Sequence, residues 1–185
     1  MTLRFPPQFD PFSPVIVATE QLGHVADEAQ LAGIRQSMNA LGPNATEAEA
    51  TLLVDTVEAL IASELPPGTH GLKHTYTPGL YSREIFMPQF SLLTSRIHET
   101  EHQFIILTGV VMVWTRETGS RVHRAPYEGV TMPGTRRILY TFEDTRWVTF
   151  HANPDNLTDP DEILRKITRR HNNPLLNRAL GGVFS

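Results

Sequence analysis

Apolar positions in the first third of the chain recur at helical spacing. Leu31, Ile34, Met38 and Leu41 fall three or four apart from about Val25 onward, and the run stops at Gly42-Pro43, a pair that ends a helix. A second helix follows, with Thr46 and Glu49 as a capping box and Leu53, Val57, Leu60 and Ile61 as one stripe, until Pro66-Pro67-Gly68 closes it. Both helices are expected to pack on the rest of the protein or on a neighbouring subunit. From Leu72 to Asn153 the period shortens. LKHTYT, YSREIFM, FSLLTSRI, QFIILTG, VVMVWTR, RVHRA, GVTM, RRILYTF and RWVTFH are short β-rich runs, and turn residues at Glu117 to Ser120 and at Pro133-Gly134 separate some of them. Many short strands at close spacing predict a sandwich or a barrel. Asp159-Pro160-Asp161-Glu162 then reads as a cap, a first-turn proline and first-turn acids. The helix it starts carries Arg165, Lys166, Arg169 and Arg170 and ends near Asn173-Pro174. Residues 1–14 hold four prolines and three phenylalanines without a helical or strand period, which predicts an extended arm laid on another surface. There is no internal repeat.

Length and charge narrow this picture. A chain of 185 residues accommodates one domain with appendages rather than two ordinary domains. Sixteen basic against 20 acidic side chains leave a net charge of -4, which gives no general attraction to nucleic acid or to anionic membranes. The apolar stretch Phe104 to Val113 is far short of a bilayer span, and the N-terminal MTLRFPPQFDPF lacks the basic start and apolar run of a signal peptide. The expected location is the cytoplasm or a particle assembled there. With no cysteine, a metal would have to be held by nitrogen and oxygen, which turns attention to the eight histidines.

The informative stretch is Arg96-Ile97-His98-Glu99-Thr100-Glu101-His102, followed by an apolar strand that ends at Gly109. On a helix His98 and His102 would share a face, but the flanking Leu92 to Arg96 and Phe104 to Leu107 are strand-like. Four strand residues span about 13 Å, so both imidazoles reach one ion only if Glu99 to Glu101 bend the chain between two strands. This arrangement resembles the first cupin motif, in which a strand carries His-x-His and a Glu on the next strand lies seven residues before a glycine. In that register Arg96 stands at the first His position, His98 at the second, His102 at the Glu position and Gly109 at the glycine. The second motif resembles Gly129 to Arg137, where Pro133-Gly134 keeps the turn, Met132 replaces an expected residue and Arg137 stands at the third His position. Arginine thus occupies two of the four usual ligand positions.

The stretch from Gly79-Leu80-Tyr81 through Ala125-Pro126-Tyr127 and Glu143-Asp144-Thr145 to His151 is similar to small cupin proteins often encoded in bacteriophages and prophages, over roughly half the chain. The resemblance implies a mostly β fold, a cupin-type double-stranded β-helix or jelly-roll barrel over residues 67–153. Before it lie the arm of residues 1–14 and a helical extension over 15–66, and after it a C-terminal helix and tail over 154–185. It also implies frequent metal binding and no defined reaction. Strand alternation puts Trp147, Thr149 and His151 on one face. If that face is the interior, His151 joins His98 and His102 as a third ligand, with Glu101 as a fourth ligand or as the catalytic group that moves a proton. Arg137 and Arg96 would grip an anion or pair with Glu101 or Asp144. His70 and His74 lie near the start of the barrel, and His24, His123 and His171 read as surface residues.

Two functions follow. One is a structural or assembly component of a phage particle, with the barrel as scaffold and residues 1–14 docking on a second copy or on another particle protein. The other is a metal-dependent cupin enzyme of oxygenase, isomerase or hydrolase type, using iron, manganese, nickel or zinc on a small anionic substrate. A metal-free small-molecule binding module is a third.

Overall fold

The computed structural model describes residues 13–15, 22–24, 28–43, 45–64 and 70–179. Phe5, Phe9 and Phe12 of the expected arm, and the Pro66-Pro67-Gly68 stop, lie outside the described residues. The described elements are, in order, β1 (Ser13–Val15), β2 (Leu22–His24), α1 (Glu28–Ala40), α2 (Glu47–Glu64), β3 (His70–Thr77), β4 (Gly79–Met87), β5 (Ser91–Thr94) and β6 (Ile97–His98). Then come β7 (His102–Thr108), β8 (Val110–Thr115), β9 (Gly119–Arg124), β10 (Tyr127–Thr131), β11 (Ile138–Thr141), β12 (Thr145–Asn153), α3 (Pro160–Ile167), β13 (Thr168–Arg169) and α4 (Pro174–Ala179).

Two antiparallel sheets face each other. One runs β1-β3-β4-β12-β7-β10 and the other β2-β5-β11-β8-β9. Taking β4, β5 and β7 to β12 as the eight barrel strands, the sheets read first-eighth-third-sixth and second-seventh-fourth-fifth. That order is the double winding of a jelly roll, and the chain therefore has the cupin-type double-stranded β-helix. The order also sets β12, the last barrel strand, between β4 and β7. The two strands that carry His102 and His151 are thus neighbours.

The unbroken apolar run of β8 has a structural reason. Val111 and Val113 face the barrel core with Ile85, Phe104 and Trp147, whereas Met112 and Trp114 face a second core beneath the helices. A strand covered on both faces has no solvent side to make polar. Met38 from α1 and Val54 from α2 fill that outer core, and the Trp114 indole N–H donates to the Leu41 carbonyl at 3.1 Å. The capping box forms as expected, with the Thr46 N–H donating to Glu49 Oε2 at 2.8 Å and the Glu49 N–H to Thr46 Oγ1 at 3.3 Å. At Gly109, between β7 and β8, φ is +91° and a Cβ would stand 2.5 Å from the Asp144 carbonyl oxygen, so only glycine fits this corner.

The C-terminal segment differs from the single helix expected up to Asn173. Asp159 caps α3, its Oδ1 accepting from the Asp161 N–H at 2.9 Å, but the helix stops at Ile167. Thr168 turns extended, and Thr168–Arg169 pairs antiparallel with Ile97–His98. Asn173 then starts α4, its Oδ1 accepting from the N–H groups of Leu175 and Leu176 at 2.9 and 3.0 Å. The local pattern could not report strand pairing across some seventy residues.

A buried charge network fastens α2 to the barrel. Arg136 places Nη1 2.7 Å from Asp55 Oδ1 and Nη2 2.7 Å from Glu58 Oε1, with the three side chains 11%, 6% and 13% exposed. Thr94 donates to Glu58 Oε1 at 3.1 Å, and Asn173 Nδ2 donates to Glu58 Oε2 at 2.9 Å. His171, expected at the surface, instead sets Nε2 3.2 Å from Asp55 Oδ2, a partner 116 positions away that no local pattern reveals. Removing one member of a buried pair leaves the other charge stranded. Asp55→Ala is accordingly expected to lower unfolding stability by about 3–5 kcal/mol in urea titration. A loss below about 1 kcal/mol would place the network in the range of exposed ion pairs.

Candidate functional site

His98 ends the short strand β6, Glu99 to Glu101 form the bend, and His102 opens β7. This is the bend that the spacing required. His151 comes from β12, where Trp147, Thr149 and His151 share the inward face by alternation. The ring centroids of His98 and His102 lie 4.5 Å apart, those of His102 and His151 4.2 Å, and those of His98 and His151 6.4 Å. His102 and His151 are only 4% and 3% exposed.

Hydrogen bonds fix two of the three rings. His102 Nδ1 is 3.2 Å from the Thr100 carbonyl, which only accepts, so Nδ1 carries the proton and Nε2 presents its lone pair. His151 Nε2 is 3.0 Å from Thr149 Oγ1, and that hydroxyl in turn donates to the Arg83 carbonyl at 3.4 Å. The relay gives His151 Nε2 the proton and leaves Nδ1 as the lone pair. His102 Nε2, His151 Nδ1 and His98 Nδ1 are all buried without a hydrogen-bond partner.

Burial keeps all three imidazoles neutral. It pushes His98 down to about 2, with His102, Arg137 and His151 adding repulsion, and His151 down to about 3, with His102 adding to the effect. His102 falls to about 4 for the same reason, opposed by its bond to Thr100.

Arg137 lies on the same interior, 6% exposed, while its neighbour Arg136 points the other way to α2. Its Nη2 donates to Thr131 Oγ1, and its guanidinium carbon sits 5.3 Å from the Phe104 centroid and 5.9 Å from that of Trp147. Those rings stack at 4.4 Å, and Gly129 makes room for Phe104, since a Cβ there would come within 2.7 Å of Phe104 Cζ. Burial lowers Arg137 to about 10, which leaves it charged at neutral pH.

Arg137, Arg96, Arg83, His98 and His151 line one cavity of about 60 Å³ with Ile85, Met87, Leu93 and Leu139, and Leu164, Ile167 and Thr168 flank it from the C-terminal segment. The sequence-predicted His98, His102 and His151 thus come together, and Arg96 and Arg137 border the same space. Glu101 does not join them. It is exposed, one position before the buried His102, so strand alternation turns it to solvent; Glu99 likewise faces out and pairs with Arg169 at 2.6 Å. A ligand or proton-transfer role for Glu101 therefore has no support in this geometry.

Arg83 was missed by the sequence reading, although it shares the parity of the inward Ile85 and Met87 and was accessible to the alternation argument. Tyr81, of the same parity, stacks on His151 at 6.0 Å and its hydroxyl meets His74 Nδ1 at 2.7 Å, so His74 sits behind the site. His123 rests at a tilt on Tyr127, with ring centroids 4.0 Å apart. Among the described residues no group of three or more His, Cys, Asp or Glu side chains stands as a ready-made ion site. The three rings rest against one another, and an ion would have to part them.

No protein-family model matches the chain, and a comparison with the curated proteins found no match. Solved structures resemble it faintly. A cupin domain of Cnp3 from Schizosaccharomyces pombe aligns over 52% of this chain and 66% of its own, at 18% identity and a TM-score of 0.40. An RmlC-like cupin from Shewanella frigidimarina aligns over 49% and 78%, at 9% identity and a TM-score of 0.39. A putative acetylacetone dioxygenase from Methylibium petroleiphilum aligns over 54% and 79%, at 12% identity and a TM-score of 0.39. The cupin-type assignment rests on the strand order itself. Among the described residues no helix is long and apolar enough to cross a membrane.

The neutral cluster has a pH signature in metal-free protein. Each imidazole has a folded pKa below the ordinary 6.5, so below that pH the unfolded chain binds more protons than the folded one. Stability is complete above about pH 6.5 and is lost as pH falls towards 4, 3 and 2, by about 1.4 kcal/mol per pH unit for each imidazole. His102→Gln is expected to flatten the slope between pH 6 and 5 by about that amount, read from urea midpoints. An unchanged slope would mean that His102 titrates normally when folded.

Proposed function

We propose that the barrel is a metal-binding cupin in which His98, His102 and His151 hold one divalent ion, of iron, manganese, nickel or zinc, and that it acts on a small molecule admitted to the adjoining cavity. The observation that carries this reading is the set of three buried ring nitrogens without a partner, two of them fixed as lone pairs by hydrogen bonds on the opposite side of the ring. Leaving such atoms unpaired in a protein interior costs about 1–3 kcal/mol each, and ligation removes that cost. A proton held against a backbone carbonyl on the far nitrogen is also how metal-bound histidines are usually oriented.

The donor set fits a borderline ion and no soft-metal site, since the chain has no cysteine. When bound, the ion would supply a Lewis acid or, for iron or manganese, redox chemistry. The chain's own residues do the rest. Thr100 and Thr149 set the ring orientations, Tyr81 backs His151, and Leu164 and Ile167 add apolar wall to the cavity. Among the described residues no carboxylate lines the cavity, so a proton transferred there would use an imidazole or water. The reading as a particle component rests on the arm of residues 1–14, of which only Ser13 and Pro14 are described, as part of a strand on β3, on the phage-type resemblance and on the arginines at two ligand positions.

Elemental analysis of the purified protein tests the metal reading. The expected result is about one ion per chain in the wild type, and loss of the ion in His98→Ala and His102→Ala with an unchanged circular dichroism spectrum. A wild type without metal after growth and titration with all four ions would contradict it.

A further inference from the structure

One charge in the cavity lacks a counter-charge that the three imidazoles could supply. Arg137 borders the space, and among the described residues no Asp or Glu lines it. Arg137 decides the matter. Its neighbour Arg136 is buried against two carboxylates, as buried cations usually are. Arg137 is as deeply buried, but its contacts are the Thr131 hydroxyl and the faces of Phe104 and Trp147, and among the described residues no carboxylate pairs with it. A guanidinium has five N–H donors in a planar fork, and Thr131 occupies one. A bound divalent ion would add charge of the same sign.

The remaining walls describe what would supply the counter-charge. Ile85, Met87, Leu93 and Leu139 present hydrocarbon, so the space is cationic on one side and apolar on the other. A cavity of about 60 Å³ admits water or a small ligand. A tetrahedral inorganic anion would leave the hydrocarbon side unfilled.

We propose that the barrel binds a short-chain organic carboxylate, its carboxylate on the Arg137 guanidinium and its alkyl end against Ile85, Met87, Leu93 and Leu139. The proposal deepens the metal reading and rests on it for the neutral imidazole wall, but the grip belongs to Arg137 and forms without the ion.

Calorimetric titration tests this with butyrate as the probe, butyramide as its uncharged counterpart and inorganic phosphate as an anion without a tail. Full-length protein is titrated after chelation and again after loading with Zn²⁺ or Mn²⁺. Butyrate is expected to bind the chelated protein, butyramide at least about tenfold more weakly, and phosphate more weakly than butyrate. Arg137→Met is expected to weaken butyrate about thirtyfold or more. If that variant does not fold, the comparison of butyrate with butyramide on the wild type decides alone. Equal binding of butyramide, or no butyrate binding by either form, overturns the proposal, and tighter binding of phosphate overturns the organic class. Metal retained without butyrate binding defeats this proposal alone, whereas butyrate binding by a protein that holds no ion defeats only the metal reading.

Discussion

The three imidazoles can lie against one another, and beside a buried guanidinium, only because each of them is neutral. Adding one charge to His98 would bury a cation in a region that also feels the Arg137 guanidinium. The desolvation of the new charge is the larger cost, and repulsion from that guanidinium adds to it. The rest of the site follows from this condition. Proton-bearing nitrogens are turned to Thr100 and Thr149, lone pairs are turned inward, and the positive charge that remains is spread over the aromatic faces of Phe104 and Trp147.

The jelly-roll winding supplies the closeness that the cluster needs. Because the last barrel strand returns between the first and the third, His151 of β12 is set beside His102 of β7 although 49 positions separate them in the sequence. The small β6 to β13 pairing then holds α3 over His98, so a C-terminal segment that looks like an appendage forms part of the cavity wall. Outside the barrel, α2 is pinned by Arg136 through Asp55 and Glu58. One strand approach thus carries two arginines with opposite tasks, Arg136 outward with partners and Arg137 inward without them.

Much of this was legible from residue patterns, and the failures have a common cause. The helical stripes over Leu31 to Leu41 and Leu53 to Ile61, the Thr46 and Glu49 box, the Asp159 cap and the β-rich runs are local signals, and each produced its element. Period-two alternation also carried Trp147, Thr149 and His151 to one face. What escaped depends on distant partners. The extended Thr168–Arg169 is set by pairing with β6, and the placement of His171 by its contact with Asp55. Glu101 was drawn towards the site by its position between two histidines, although the same alternation that buries His102 sends it to solvent. Arg83 had the opposite fate, being readable from Ile85 and Met87 and overlooked because the motif drew attention to the histidines.

The account stands on the claim that the partnerless nitrogens of His98, His102 and His151 converge on one ion inside the barrel. Anomalous X-ray diffraction from crystals of metal-loaded protein, collected above and below the absorption edge of the ion, tests it most directly. The account predicts one anomalous peak within about 2.0–2.2 Å of a nitrogen of each of the three rings. A barrel interior without a peak, or a peak bound to other residues while the three rings stay in contact, would contradict it.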